Sequence, residues 1–75
     1  MRRLGEVTGT AQGLAVARLP DADYPDIGTT ALDESLTEVG RVVDVFGPVD
    51  RPYVAVAPAD DVDPERLLGA KLYAR

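Results

Sequence analysis

The stretch DVFGPVDRPYVAV, Asp44–Val56, decides how the chain is folded. Two apolar, β-prone runs flank a join that holds Gly47, Pro48 and Pro52. Runs of this kind around a short polar-and-proline join predict two antiparallel strands, Glu38–Phe46 and Tyr53–Pro58. A plain two-residue hairpin would use Asn-Gly or Asp-Gly. This join instead carries two prolines between a phenylalanine and a tyrosine, and only Asp50 and Arg51 are charged. Each proline fixes one φ angle, so the join loses less entropy on docking than a glycine-rich loop would. Two readings follow from the residues. Phe46, Val49 and Tyr53 form an exposed apolar surface for another protein, or the join is a stiff barrel turn whose apolar groups fold inward.

Working upstream, Glu38–Phe46 has apolar groups on both faces. Val39, Val43 and Val45 share one with Arg41, and Val42 and Phe46 share the other with Gly40 and Asp44. One face goes to a core, and the second must meet another element or a partner. Leu4–Thr10 and Leu14–Leu19 also read as strands, joined through TAQG with Gly13 placed for positive φ. Pro20 ends the second run. Residues 21–29 form a loop with Pro25 and Gly28. Thr30–Leu32 is a short strand and 33–35 a turn. A helix across 32–39 is disfavoured by its β-branched threonine and valine. Downstream, Asp63 caps a short helical turn near 63–68 with Pro64 in its first position and Gly69 at its exit. KLYAR, 71–75, is the last strand. Six short strands, with turn signals about every ten residues, predict an all-β fold: a small six-stranded antiparallel barrel, closed or nearly so. Closure removes the open edges on which sheets aggregate. A chain of 75 residues fits one domain over 1–75. At that size about 60% of the unfolded surface is buried, so the core is thin.

Chemistry has little to work with. The chain has no cysteine and no histidine, which removes disulfides, thiolates, the usual general base and the commonest metal ligand. Ser35 is its one serine and has no histidine to activate it. Gly5, Gly9 and Gly13 lack the Gly-Lys-Ser/Thr ending of a phosphate loop, so they read as bends in a sheet. Asp60, Asp61 and Asp63 lack the glycine and bidentate glutamate of a calcium loop. We therefore expect no enzyme, no cofactor and no metal. No apolar run approaches the roughly 20 residues of a membrane helix, and MRRLGEV has no signal-peptide core. The expectation is a soluble, cytoplasmic protein without a membrane partner.

Nine aspartates stand against four glutamates, and seven arginines against one lysine, for a net charge of −5. Short carboxylates and scarce lysine fit a halophilic source, and an acidic surface also keeps a small protein soluble. The balance argues against a basic nucleic-acid footprint. That argument weakens in molar salt, where the Debye length is about 3 Å. The four aromatics, Tyr24, Phe46, Tyr53 and Tyr73, are not interleaved with Arg or Lys along the chain. A stand-alone barrel that stacks single-stranded RNA bases is thus the second functional reading.

RLGEV (3–7), GRVVDVFGPVDRPYVAV (40–56) and LLGAKLY (67–73) resemble, in order and over nearly the whole chain, the Gar-type core subunit of box H/ACA ribonucleoproteins. The composition resembles that of a haloarchaeal member without Gly/Arg-rich tails. The resemblance implies a six-stranded split barrel of the translation-factor/reductase kind. It also implies a non-catalytic subunit, monomeric when free, that docks on the catalytic domain of the dyskerin-type pseudouridine synthase. Guide RNA and target rRNA are reached through that complex. Such a subunit holds a mobile synthase loop open, which helps substrate RNA load and product leave. Binding one loop state better than another shifts its population, and turnover rises with the chemical step unchanged. On this reading Phe46, Gly47, Pro48, Val49, Pro52 and Tyr53 are the centre of the contact. Val43 and Val45 extend it along the strand.

Overall fold

The structure, a computed structural model, describes residues 2–75. Its strands are β1 (Arg2–Ala11), β2 (Leu14–Arg18), β3 (Thr30–Leu32), β4 (Glu38–Phe46), β5 (Tyr53–Pro58) and β6 (Lys71–Ala74), with a 3-10 turn at Pro64–Leu67. Every neighbouring pair is antiparallel. The sheet closes on itself in the order β1-β2-β5-β4-β3-β6, so the expected barrel is a closed one of six strands.

The two long strands are the corners that close it. β1 pairs with β6 through Arg2–Glu6 and with β2 through Val7–Ala11. β4 pairs with β3 through Glu38–Arg41 and with β5 through Gly40–Phe46. Each contains two register slips: at Arg3/Gly5 and Val7/Gly9 in β1, and opposite Ala31/Leu32 and at Val42/Asp44 in β4. An extra residue bends a strand and sharpens its twist, which lets one strand serve two neighbours. At the first slip the chain comes very close to β2. Gly5 has φ +106°, and a Cβ there would sit 2.1 Å from the Arg18 carbonyl oxygen. Only glycine fits.

The slips also resolve the two-faced pattern of β4. Val39 and Val42 are buried and Val45 packs half-buried against the core, while Val43 and Phe46 lie outside. Three valines therefore enter the barrel at spacings of three, which no strict alternation predicts. The interior is aliphatic. Leu4, Leu19, Leu72, Val7, Val42, Val54 and Val56 are its largest fully buried side chains, and alanines 15, 17 and 31 fill between them. Such a mixture of small and large groups fits a narrow barrel. Among the described residues no aromatic ring belongs to this core, and no polar or charged residue is buried in it.

Local signals account for the turns. Gln12 and Gly13 both have positive φ, as a two-residue hairpin requires. At the β3–β4 tip one Asp33 carboxylate oxygen accepts from the amides of Ser35 (2.8 Å) and Thr37 (3.0 Å). That tip is a turn, not a helix. Asp63 accepts from the Glu65 amide at 3.0 Å, with Pro64 opening the turn that follows. β1 begins two residues before the expected Leu4, because Arg2 and Arg3 pair with Ala74 and Tyr73. β2 ends at Arg18 and β6 at Ala74, one residue earlier than expected in each case.

Candidate functional site

Phe46 and Tyr53 are directly opposed residues at the end of the β4–β5 ladder. Their rings stack at 5.6 Å between centroids and 18° between planes. Gly47 then turns the chain with φ +94°, and a Cβ there would lie 2.9 Å from Tyr53 Cδ2. The bare backbone thus lets the tyrosine ring lie flat against the start of the join. A turn follows in which the Arg51 amide donates to the Pro48 carbonyl at 3.2 Å. Val49, at its tip, is 91% exposed.

The far side of the join is tied down. The Leu19 amide donates to the Pro52 carbonyl at 2.9 Å, and Arg51 Nε donates to the Leu19 carbonyl at 3.1 Å. Two hydrogen bonds to the end of β2 and two fixed proline φ angles make this a stiff corner. Arg18, the β2 neighbour of Tyr53 in the ladder, lays its guanidinium carbon 5.2 Å from the Tyr53 ring centroid. Arg18, Tyr53 and Phe46 therefore form one row across three strands on the outer surface. Cation–π and aromatic pairs of this kind each contribute about 1 kcal/mol.

Beside this row lies an apolar depression of about 290 Å³ lined by Tyr24, Val45, Phe46, Gly47, Pro48, Val49 and Pro52. Phe46 is 44% exposed and Tyr24, from the loop after β2, is 61% exposed. Six of the eight residues singled out in the sequence thus meet at one place, and Tyr53 supports them from beneath Phe46. Pro52 contributes differently from Pro48, because it is buried and anchored to β2 while Pro48 is exposed. Val43 is not part of the depression. The slip at Val42/Asp44 turns it toward a separate groove with Arg41 and Pro58. Tyr24 and Arg18 were missed. The aromatics are separate from arginine along the chain but not in space, since strand register sets Arg18 on Tyr53.

The corner offers shape and apolar surface and no nucleophile. Among the described residues no group of three or more His, Cys, Asp or Glu side chains is arranged to hold a metal ion. No helix of the described residues is long and apolar enough to cross a membrane.

A family model for the Gar1/Naf1 RNA binding region matches residues 1–75. The chain belongs to the Gar1/Naf1 family. The match takes in both bent strands and the whole β4–β5 join, so the apolar corner lies within the Gar1/Naf1 region. A protein of Methanothermobacter thermautotrophicus, described as uncharacterized, is 27% identical over 77 residues. The alignment covers 97% of this chain and 82% of the relative.

Proposed function

We propose that this Gar1/Naf1 chain is a non-catalytic core subunit of the box H/ACA ribonucleoprotein. On this reading residues 1–75 act as one domain. Its apolar corner docks on the catalytic domain of a dyskerin-type pseudouridine synthase. The observation that carries the reading is the exposed Phe46–Tyr53 stack with Val49 at its tip, on a barrel whose core needs no aromatic. An exposed, pre-stiffened apolar patch is what a partner surface requires. Family membership supports the ribonucleoprotein setting.

The action is conformational. A docked barrel that contacts one position of a synthase loop better than another raises the population of that position. Holding the loop open speeds RNA loading and product release in guide-directed rRNA pseudouridylation, without touching the chemical step. RNA is then met through the assembled particle, and the free chain is a cytoplasmic monomer. Its acidic, lysine-poor composition fits a haloarchaeal, high-salt cytoplasm.

Calorimetry with the purified synthase tests the proposal. Phe46→Ala is expected to weaken binding by about 2 kcal/mol, the size of an interface hot spot. Val49→Asp should weaken it comparably, by placing a charge in an apolar contact. Both variants should slow multiple-turnover pseudouridylation and leave a single turnover on preloaded RNA unchanged. Folded variants that bind as tightly as the parent would remove this corner from the interface.

A further inference from the structure

Charge is unevenly placed on this chain. Arg3 on β1, Arg18 on β2 and Arg51 in the β4–β5 join line one groove of about 460 Å³, on the β2 side of Tyr53. Three of the seven arginines meet there. Glu6 is the one carboxylate of the lining, so three positive charges and one negative leave it at +2. The whole chain carries −5. Like charges held together repel, and an anion set between them relieves the repulsion.

Two of the three guanidinium groups are held in place. Arg51 donates from Nε to the Leu19 carbonyl at 3.1 Å. Arg18 lies on Tyr53, 5.2 Å from the ring centroid. Its Nε is buried without a hydrogen-bond partner among the described residues. An anion at the terminal amino groups offsets the cost of that unmade bond. Planar forks match the two oxygens of a carboxylate, and side chains already fixed lose little entropy when one joins them.

We propose that this groove takes a carboxylate side chain from an acidic segment of a protein partner. The positive island is short. An adjoining groove shares Arg3 and Pro20 with it and brings Asp21 and Asp23 to that side. Glu6 stands within the lining, and the exposed Asp50 precedes Arg51. A strand with one phosphate per nucleotide would leave the arginines and run onto these carboxylates. One or two side-chain carboxylates on a neutral backbone would not. Bases would also find no ring to stack on. Among the described residues no aromatic lines the groove, and Tyr53 is flanked in its row by Arg18 and Phe46. A protein carboxylate is the anion this surface fits. The groove asks nothing of the docking corner, so the two sites stand or fall separately.

Amide NMR shifts of the isotope-labelled chain, followed while a short capped peptide with a pair of glutamates is added, test the proposal. In about 0.1 M potassium chloride the shifts should centre on 3–8, 18–20 and 51. They should fade in about 1 M, where the Debye length is about 3 Å. The same peptide with glutamines should not cause them. Arg3→Gln, which removes no internal hydrogen bond described above, should weaken glutamate-peptide binding about threefold, and Arg51→Gln should do the same. Arg66→Gln and Arg75→Gln, outside the groove, should change it little, and melting curves identify the folded variants. Three results overturn the proposal: shifts at the groove no larger than the glutamine peptide causes, folded Arg3→Gln and Arg51→Gln chains that bind as tightly as the parent, or tighter binding at the same amides of an oligouridine of equal charge. The last would give the groove to nucleic acid.

Discussion

Gly5 and Gly9 sit four residues apart on the same strand, yet the barrel asks different things of them. At Gly5 a side chain would run into the Arg18 carbonyl with φ in the left-handed region, whereas a Cβ at Gly9 meets nothing within 4 Å. Gly5→Ala must therefore move β1 away from β2, at a cost of about 3 kcal/mol or more. Gly9→Ala should change stability by no more than about 0.5 kcal/mol. Urea unfolding of the two variants checks this, and equal midpoints would mean that β1 and β2 are not so close at the first slip. Gly47 is an intermediate case. There a Cβ meets the edge of the Tyr53 ring rather than backbone. Gly47→Ala should cost about 1–2 kcal/mol, the strain of one left-handed residue, and the aromatic stack should shift with it.

At the scale of the element, the β3–β4 tip carries an avoidable strain. Leu36 has φ +63° and is exposed, while the Asp33 carboxylate does the work of closing the turn. Asparagine tolerates that backbone far better than leucine. Leu36→Asn is expected to stabilise the fold by about 1 kcal/mol, seen as a higher melting temperature; a lower one would mean that Leu36 packs usefully. Elements of this kind were legible where the signal is local. Gly13 at the hairpin, Pro20 after β2 and Asp63-Pro64 at the 3-10 turn each impose a backbone angle or supply a hydrogen bond that the residue type announces. The slips in β1 and β4 were not legible. An extra residue at a bulge has no side chain of its own kind, so Val43 reads as one more member of an alternating strand. The structure instead lets Val39, Val42 and Val45 enter the core together. The same blindness hid Arg18 and Tyr24, which meet the β4–β5 corner through strand register and a returning loop rather than through spacing in the chain.

For the molecule as a whole, charge and surface are the two features that reach beyond the barrel. Thirteen acidic side chains against eight basic ones on 75 residues repel one another in the folded state. Screening should relieve this, so melting in 2 M potassium chloride is expected on the order of 5 °C above melting in 0.1 M. No rise would argue that the composition serves solubility alone. The apolar corner is the other feature. Its residues come from β4, the β4–β5 join and the loop after β2; Val45 also packs against the aliphatic core and Pro52 is buried, while Tyr24, Phe46, Gly47, Pro48 and Val49 are exposed. Hydrogen–deuterium exchange of the chain, alone and mixed with a dyskerin-type pseudouridine synthase, tests the proposed docking at this corner most directly. The account predicts that added protection centres on 45–53 and the segment around Tyr24. Protection confined to β6 and the β3–β4 tip, with 45–53 exchanging as in the free chain, would contradict it.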